Sequence, residues 1–360
     1  IISGSEVLKS SNKTTYNGNY GLNAQWTVYN GSKRLKTIEQ EKLNNRVADL
    51  DVATSENDIE QSIAQVYIQI LYAAESVKVN ENTLQVSEAQ RDRGKQLLDA
   101  GSIARSDYAQ LEAQVSTDRY QLVTAQATLQ DYKLQLKQLL ELDGEQEMQV
   151  YLPALGDENV LSPLPAKTDV FRSAVALRPE IEASKLSVEA SELGIGIAKS
   201  GYLPSVSLTA GIGTNHTSGS DFTFGEQVKN GWNNSIGLSI SVPIFNNRQT
   251  KSAVEKAKLQ YQTSQLTLLD EQKTLYKTIE GLWLDANSAQ QRYAAANEKL
   301  RSTQISYDLI SEQFNLGMKN TVELLTEKNN LLQAQQEQLQ AKYMAILNTQ
   351  LLKFYQGDKL

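Results

Sequence analysis

Apolar and polar residues alternate strictly in three segments of the chain, at residues 20–29, 205–213 and 235–245. A period of two is typical of extended strands with one apolar face. A strand that spans a bilayer in a tilted barrel needs roughly 9 to 11 such residues, which all three segments provide. The same pattern also fits a half-buried sheet of a soluble sandwich. The polar positions are mostly Ser, Thr, Gly and Asn, which favours the water-filled interior of a barrel.

A helical period replaces this alternation after the first and the third strand. Residues 32–99 and 248–314 contain no proline, and their apolar residues recur at steps of three and four. A helix of ~67 residues is on the order of 100 Å long. Turns containing Gly101 and Gly317 follow the two stretches, and Asn320 with Glu323 fits a capping box for the next helix. Two helical hairpins are therefore predicted.

The chain repeats itself with one offset. When residue n is aligned with residue n + 216, Gly101 falls on Gly317 and Asn30 falls on Asn246. The sequence thus predicts an internal duplication, whose unit is a strand followed by a helical hairpin. Position 1 aligns with position 217, so the counterpart of residues 171–216 is expected to be missing from the first copy.

These patterns predict a succession of six segments. Residues 1–31 form a loop and a strand, 32–142 the first helical hairpin, 143–170 an irregular connector, 171–200 one helix, 201–247 a strand hairpin, and 248–360 the second helical hairpin. Three prolines favour the irregular connector, in which residues 148–152 are expected to form a short strand.

Three aromatic residues border the predicted strands. Tyr29 and Phe245 close two strands at equivalent positions of the repeat, and Tyr202 opens the third. All three are therefore expected at the same end of a barrel, where aromatic side chains line the membrane interface.

Composition argues against several classes of function. The charge of -7 and pI near 5.1, without a basic run, exclude non-specific binding to nucleic acid. The absence of cysteine excludes thiol chemistry, disulfides and cysteine-ligated zinc. His216 is the single histidine and is expected in a surface loop at residues 211–219. No phosphate-binding loop, nucleophile elbow or metal-ligand spacing occurs, so neither an enzyme nor a cofactor is predicted. The chain also lacks the run of about 18 apolar residues that a transmembrane helix requires.

Short motifs at the element boundaries resemble those of TolC-type outer-membrane efflux channels. The motifs are the strand-to-helix junctions at residues 28–31 and 242–246, the strand entry at 201–204, and the turns at 100–103 and 314–317. Their order, their spacing and the duplication extend the resemblance over essentially the whole chain. It implies a membrane α+β fold in a homotrimer, in which the protomers share one β-barrel and their hairpins form an α-helical tunnel through the periplasm. The family pattern has one more strand in the first repeat than this sequence shows.

The resemblance also implies roles for residues at the hairpin turns. Glu323 takes the first acidic position of a ring at the periplasmic aperture, and Thr326 stands at the second. Lys319 matches the basic residue of a latch that holds the aperture closed. Asp107 matches the residue with which that basic residue pairs in the latch, and Ser106 precedes it in the sequence. The remaining positions are Phe314, which replaces a tyrosine of the latch, and the adaptor-docking turns Gly101, Ser102, Ile103, Leu316, Gly317 and Met318.

The residues alone support a plainer interpretation of the same side chains. Glu323 is then the third helical residue of a capping box. Lys319 and Asp107 are solvated charges near helix ends. Both interpretations remain open at this stage.

The function implied by the resemblance is a passive exit duct in the outer membrane, reaching into the periplasm of a Gram-negative-type bacterium. It would contact outer-membrane lipid and conduct small molecules expelled by an inner-membrane pump through a periplasmic adaptor. A type I protein secretion conduit is the nearest alternative. A periplasmic coiled-coil or adhesin stalk without transport would share the long helices but would not need the alternating strands.

Overall fold

The computed structural model describes residues 14–143, 148–153, 156 and 160–358. Parts of the predicted segments 1–31 and 143–170 lie outside the described residues. The chain divides into two compact units, Ile1–Arg46 with Leu186–Leu266, and Val47–Lys185 with Thr267–Leu360. We call them the sheet unit and the hairpin unit. Within the described ranges, no helix combines the length and the apolar character needed to cross a membrane.

The described residues form these helices: α1 Lys33–Asp99, α2 Arg105–Leu139, α3 Lys167–Leu177, α4 Pro179–Lys199, α5 Phe224–Asn230, α6 Gln249–Asn315 and α7 Thr321–Gln356. The strands are β1 Asn17–Asn30, β2 Ser205–Thr217 and β3 Asn233–Ser241, which form an antiparallel sheet with β2 in the centre. His216 lies in β2 opposite Gly18, which corrects its predicted place in a loop.

The sheet has one apolar face. Ala24 of β1 lies opposite Ala210 of β2, which in turn lies opposite Ile236 of β3. The even-numbered residues of β2, of β3 and of β1 as far as Trp26 therefore share this face, as the alternation predicted. β3 ends at Ser241, before the predicted end at residue 245. Pro243 stands two residues further on and has no N–H to donate to a strand ladder, which explains the earlier end.

A β-bulge in β1 changes which residues reach the apolar face. Thr27 pairs with Ser207, whereas Tyr29 pairs with Val206, so Val28 is the extra residue. Beyond the bulge, the odd-numbered Tyr29 therefore lies on the apolar face. Simple alternation had assigned Val28 to that face, because a bulge leaves no mark in a two-residue period.

The duplication is visible in the helix boundaries. Each bound of α1 plus 216 gives the corresponding bound of α6, and α2 and α7 begin at equivalent residues. The two strand-to-helix junctions also share a rare backbone conformation. Gly31 and Ser32 have φ of 66° and 63°, and the equivalent Asn247 and Arg248 have φ of 52° and 62°. The predicted duplication is thus confirmed in local geometry as well as in sequence.

Two predictions for the middle of the chain are wrong. The single helix expected at 171–200 is divided into α3 and α4 by Arg178, whose backbone is extended. Pro179 is the cause, since a proline disfavours the helical conformation of the preceding residue but suits the first turn of a new helix. Residues 148–152 form no strand.

The core of the hairpin unit lies among its helices. One buried cluster joins α3, α4, α6 and α7 through Val170, Ala174, Ile181, Leu275, Ile279, Ala286 and Leu352. Arg178 is buried beside this cluster, with its guanidinium 4.5 Å from the ring centre of Phe354 and 4.0 Å from that of Tyr355. These stacked rings hold the extended residue between α3 and α4.

Candidate functional site: the hairpin turns and the sheet face

The two hairpin turns have the same geometry. Gly101 and Gly317 each donate their N–H to the carbonyl three residues earlier, at 2.9 Å in both turns. Ser102 and Met318 donate to the carbonyl five residues earlier. This bond pattern is the Schellman motif, and it requires the left-handed φ of 73° and 75° that the two glycines adopt.

Both returning helices begin with an acidic residue at the third helical position. Glu323 accepts from the N–H of Asn320, while the Asn320 side chain accepts from the N–H of Glu323 at 2.9 Å. Asp107 accepts from the N–H of Ala104 at 3.3 Å. The capping interpretation of Glu323 is therefore confirmed, and Asp107, which was predicted only as a solvated charge, accepts a capping bond as well. Capping leaves each carboxylate one oxygen for a further partner.

Lys319 and Glu323 form an ion pair within one chain. The distance from Lys319 Nζ to Glu323 Oε1 is 2.5 Å. The bond from Lys319 lowers the pKa of Glu323, and the N–H of Asn320 adds to that effect. No ion pair joins Lys319 to Asp107 within the described part of a single chain, so a latch between them stays a prediction about contacts between copies.

Phe314 lies in the packed interior where the two hairpins meet. It is buried with Leu111 of α2 and Leu324 of α7, and Leu97, Tyr307 and Leu325 pack around them. Gly94 of α1 lies where a Cβ would collide with Leu111, which explains the one interior glycine of that helix. Phe314 thus contributes packing, and the hydroxyl of a tyrosine would add polarity to an apolar cluster.

The other turn residues are mostly exposed. Ser102, Ser106 and Thr326 face solvent, and the Thr326 hydroxyl donates to the carbonyl of Val322 at 2.8 Å. Leu316 and Met318 are also exposed although they are apolar. Ile103 is half-buried. The turns therefore present an apolar surface that the chain does not cover by itself.

A buried polar cluster that was not predicted from the sequence lies where the two hairpins pack together. Lys328 of α7 contacts the Asp118 carboxylate of α2 and the Ser87 hydroxyl of α1, and Gln114 also donates to Asp118 at 2.9 Å. Lys328 is 3% exposed and Asp118 is 1% exposed. Burial lowers the pKa of Lys328, and the bond to Asp118 opposes that shift.

A signal for this cluster was present in the sequence. Lys328 follows Leu324 by four residues and precedes Leu331 by three, which is a position of the apolar stripe. Asp118 follows Val115 by three residues and Leu111 by seven, so it also occupies a position of the apolar stripe. A charge of each sign inside an apolar stripe indicates a buried ion pair.

The three predicted interface aromatics lie toward one end of the sheet. Asn30 of β1 and Ser205 of β2 are partners at that end, where Ser205 also pairs with Ser241 of β3. Tyr29 precedes Asn30, and Tyr202 lies in the short 3-10 turn Ser200–Tyr202 just before β2. The remaining one, Phe245, lies beyond the end of β3, and all three side chains are exposed.

The chain matches a known family over most of its length. The family described as outer membrane efflux protein matches at residues 2–141 and 170–357. The match omits only the connector and the chain ends. It therefore includes both hairpin turns and all three strands.

Individual relatives have low sequence identity to this chain, but the matches extend over most of it. The outer membrane efflux protein BepC of Brucella suis biovar 1 (strain 1330) is 24% identical over 294 residues, which are 81% of this chain and 61% of that protein. The outer membrane protein TolC of Escherichia coli (strain K12) is 25% identical over 335 residues, 89% of this chain and 66% of that protein. The chain thus spans about two thirds or less of the length of these relatives.

Solved structures share the fold. A crystal structure of CusC, from work on its folding and transmembrane channel formation, superimposes with a TM-score of 0.80 at 21% identity. The superposition covers 98% of this chain and 81% of CusC. At this identity the likeness establishes the fold alone.

Proposed function

The chain belongs to the outer membrane efflux protein family, and on that premise we propose that it is the outer-membrane exit duct of a tripartite efflux system. The family is one of outer-membrane channel proteins and not of enzymes, in agreement with the predictions from sequence. In the proposed system, an inner-membrane pump expels small molecules through a periplasmic adaptor, and the duct conducts them passively.

The sheet supports the membrane part of this proposal. Its strands contain no Asp, Glu, Lys or Arg, and apolar residues such as Ile236, Leu238 and Ile240 are exposed on one face. Such a face is costly in water and favourable against hydrocarbon. The proposal rests on this exposed apolar face. Its strands carry no charged residue and lead along the chain into the duplicated hairpins.

The sheet edges support a homotrimer that shares one barrel. In the described chain, β1 and β3 are edge strands with one strand neighbour each. Open edges are not tolerated in lipid, because unpaired backbone groups find no water there. Strands from further copies would pair these edges and close the barrel.

The hairpin turns support docking of the adaptor and gating of the periplasmic aperture. The exposed Leu316 and Met318 offer an apolar contact to the adaptor. Glu323, with Thr326 at the next turn, is proposed to line the aperture. Lys319 already neutralises Glu323 within each chain, so the ring has a weaker negative potential than bare carboxylates would give.

The stalk alternative does not account for the sheet. A secretion conduit would use the same channel physics with a different pump, and no feature of the described residues favours protein cargo over small molecules.

The charge of the aperture can be tested in planar bilayers with the purified full-length protein. We expect ohmic channels with a cation preference that Glu323→Gln reduces and Lys319→Met increases, because these changes remove one negative and one positive charge near the pore. Reversal potential in a salt gradient measures this preference. An unchanged reversal potential in Glu323→Gln contradicts the ring, and protein without any channels contradicts the proposed function itself.

The same recordings test the pH dependence. The lowered pKa of Glu323 keeps its carboxylate charged at pH values where an ordinary glutamate is partly protonated. The preference for cations should therefore be lost on acidification, and the midpoint of this loss should lie at a pH below the usual pKa of glutamate. Lys319→Met removes the main cause of the shift, so the midpoint should move to higher pH. A midpoint that does not move contradicts the role of Lys319.

The proposed latch predicts a change in channel size. If Lys319 of one copy also contacts Asp107 of another, Lys319→Ala with Asp107→Ala should increase single-channel conductance, since the closed aperture loses one attraction at each of its equivalent sites. Ser116→Ala is the matched control, because Ser116 is exposed on the same helix and lies outside the proposed latch. Equal conductance in the double variant and the control contradicts the latch.

A further inference from the structure

A second group of aromatic residues lies at the loop end of the sheet, opposite the end that contains Tyr29. We call Tyr20, Phe222, Phe224 and Trp232 the loop-end aromatics. Each is between 54% and 59% exposed, so the described part of the chain leaves about half of each side chain uncovered. Exposed aromatic groups of this size mark a surface that meets something other than water.

The short helix α5 is fixed on the apolar side of the sheet at this end. The Thr214 hydroxyl donates to the carbonyl of Val228 at 2.8 Å, and the Thr217 N–H donates to Gln227 Oε1 at 2.9 Å. Thr214 pairs with Tyr20, an even-numbered residue of β1. It therefore belongs to the apolar face.

Ring contacts place Phe224 over the same face. Its ring centre is 6.3 Å from that of Tyr20, edge to face, and 5.0 Å from that of His216. A capping box between Thr223 and Glu226 starts α5 directly before Phe224. The same segment carries exposed charged residues, Glu226 and Lys229. The segment thus combines aromatic rings with charged groups, which suits a boundary between lipid and water.

The distance between the two aromatic groups matches a bilayer. Tyr20 pairs with Thr214 and Tyr29 pairs with Val206, so eight residues of β2 separate the two levels. At ~3.4 Å per residue they span about 27 Å along the strand, or about 21 Å along the membrane normal at a tilt of ~40°. The apolar band of an outer-membrane barrel is ≈ 25 Å tall. The two aromatic groups therefore have nearly the spacing of the two interfaces.

We infer that the loop-end aromatics, held by α5, lie in the outer interface of the bilayer, at the boundary of lipid headgroups and acyl chains. Trp26 pairs with Leu208, two residues of β2 from the Tyr29 level and six from the Tyr20 level, so it then lies inside the apolar band, nearer the inner interface. This inference rests on the proposed function, because it requires the sheet to span the membrane. Tyrosine and tryptophan favour this boundary, since each has an apolar ring and one polar group.

Tryptophan fluorescence distinguishes the two depths. Full-length protein with Trp26→Phe retains Trp232, and protein with Trp232→Phe retains Trp26. Trp283, which is half-buried in the hairpin unit, remains in both and is measured alone in the double variant. Each protein is reconstituted in phosphatidylcholine vesicles with bromine near the headgroup or near the end of the acyl chains. Trp232 should lose more emission to bromine near the headgroup than to bromine at the chain end, and the share of quenching by chain-end bromine should be larger for Trp26 than for Trp232.

The other outcomes separate the inference from its premise. Quenching of Trp26 without quenching of Trp232, or quenching of Trp232 mainly by chain-end bromine, overturns the interfacial position of α5 and leaves the proposed function intact. Absence of quenching at both positions overturns the membrane-spanning sheet itself. Phe224→Ser should reduce the quenching of Trp232 but not of Trp26, and equal quenching in that variant would show that α5 does not hold the loop in the interface.

Discussion

Lys328→Met is expected to lower the free energy of unfolding of the hairpin unit by about 3–5 kcal/mol, because it leaves a buried carboxylate without its cation. Asp118 is 1% exposed and keeps only uncharged hydrogen-bond donors after the change. Methionine has a similar length and fills the apolar stripe, so packing changes little. Denaturant unfolding of the purified protein in detergent, followed by helical circular dichroism, measures the loss.

Two matched variants show whether the cause is the unpaired charge. Lys328→Met combined with Asp118→Leu removes both charges and should recover most of the lost stability. Lys299→Met breaks a lysine–carboxylate pair with Glu337, 2.7 Å long, whose side chains are 42% and 43% exposed. It should cost about 0–1 kcal/mol. Equal losses in Lys328→Met and Lys299→Met would show that water reaches the Lys328 pair.

The buried pair also shows how the two repeats diverged. The repeat offset aligns Lys328 with Glu112, which is exposed, and Asp118 with Ala334, which is fully buried. The two hairpins thus have equivalent helix boundaries but different side chains where they pack against each other. Lys328 belongs to the second hairpin and Asp118 to the first. The pair therefore orients one repeat against the other, and the equivalent positions contain no such pair.

Sequence patterns predicted the repeated parts of the fold well. α1 and α6 were predicted to within one residue at each end, because long uninterrupted periods end at glycines with left-handed φ, such as Gly101 and Gly317. The strands were predicted because no charged residue interrupts their alternation. The candidate residues at the turns were found by resemblance, whereas capping by Glu323 followed from residue spacing alone.

The remaining features depend on single residues or on distant contacts. One proline divided a predicted helix into α3 and α4, and one bulged residue, Val28, shifted the register of β1. α5 is too short to show a period and is held by bonds to β2. The Lys328 cluster depends on three helices meeting, and a pattern within one helix does not show its partners.

Gly31→Ala is the second change with a large expected effect, at the junction of β1 and α1. Gly31 has φ of 66°, and a Cβ there would lie 2.8 Å from Leu203 Cβ and 2.9 Å from the Ser200 carbonyl. A left-handed alanine costs roughly 1–2 kcal/mol. Crowding against the Leu203 side chain and a backbone oxygen adds typically 1–3 kcal/mol. We expect a total loss of about 2–5 kcal/mol in unfolding free energy.

Two further glycine variants separate these causes. Gly101→Ala has nearly the same backbone strain, with φ of 73°, but no atom lies within 4 Å of the new Cβ. Its unfolding free energy should therefore fall only by the cost of the left-handed conformation, roughly 1–2 kcal/mol. Gly31→Asn places at this junction the residue type that the equivalent position, Asn247, already has in the left-handed conformation. Asparagine tolerates that conformation, so the crowding cost remains. If Gly31→Asn is as stable as the unchanged protein, backbone strain alone explains the glycine, and the close approach of Leu203 has no part in fixing the junction.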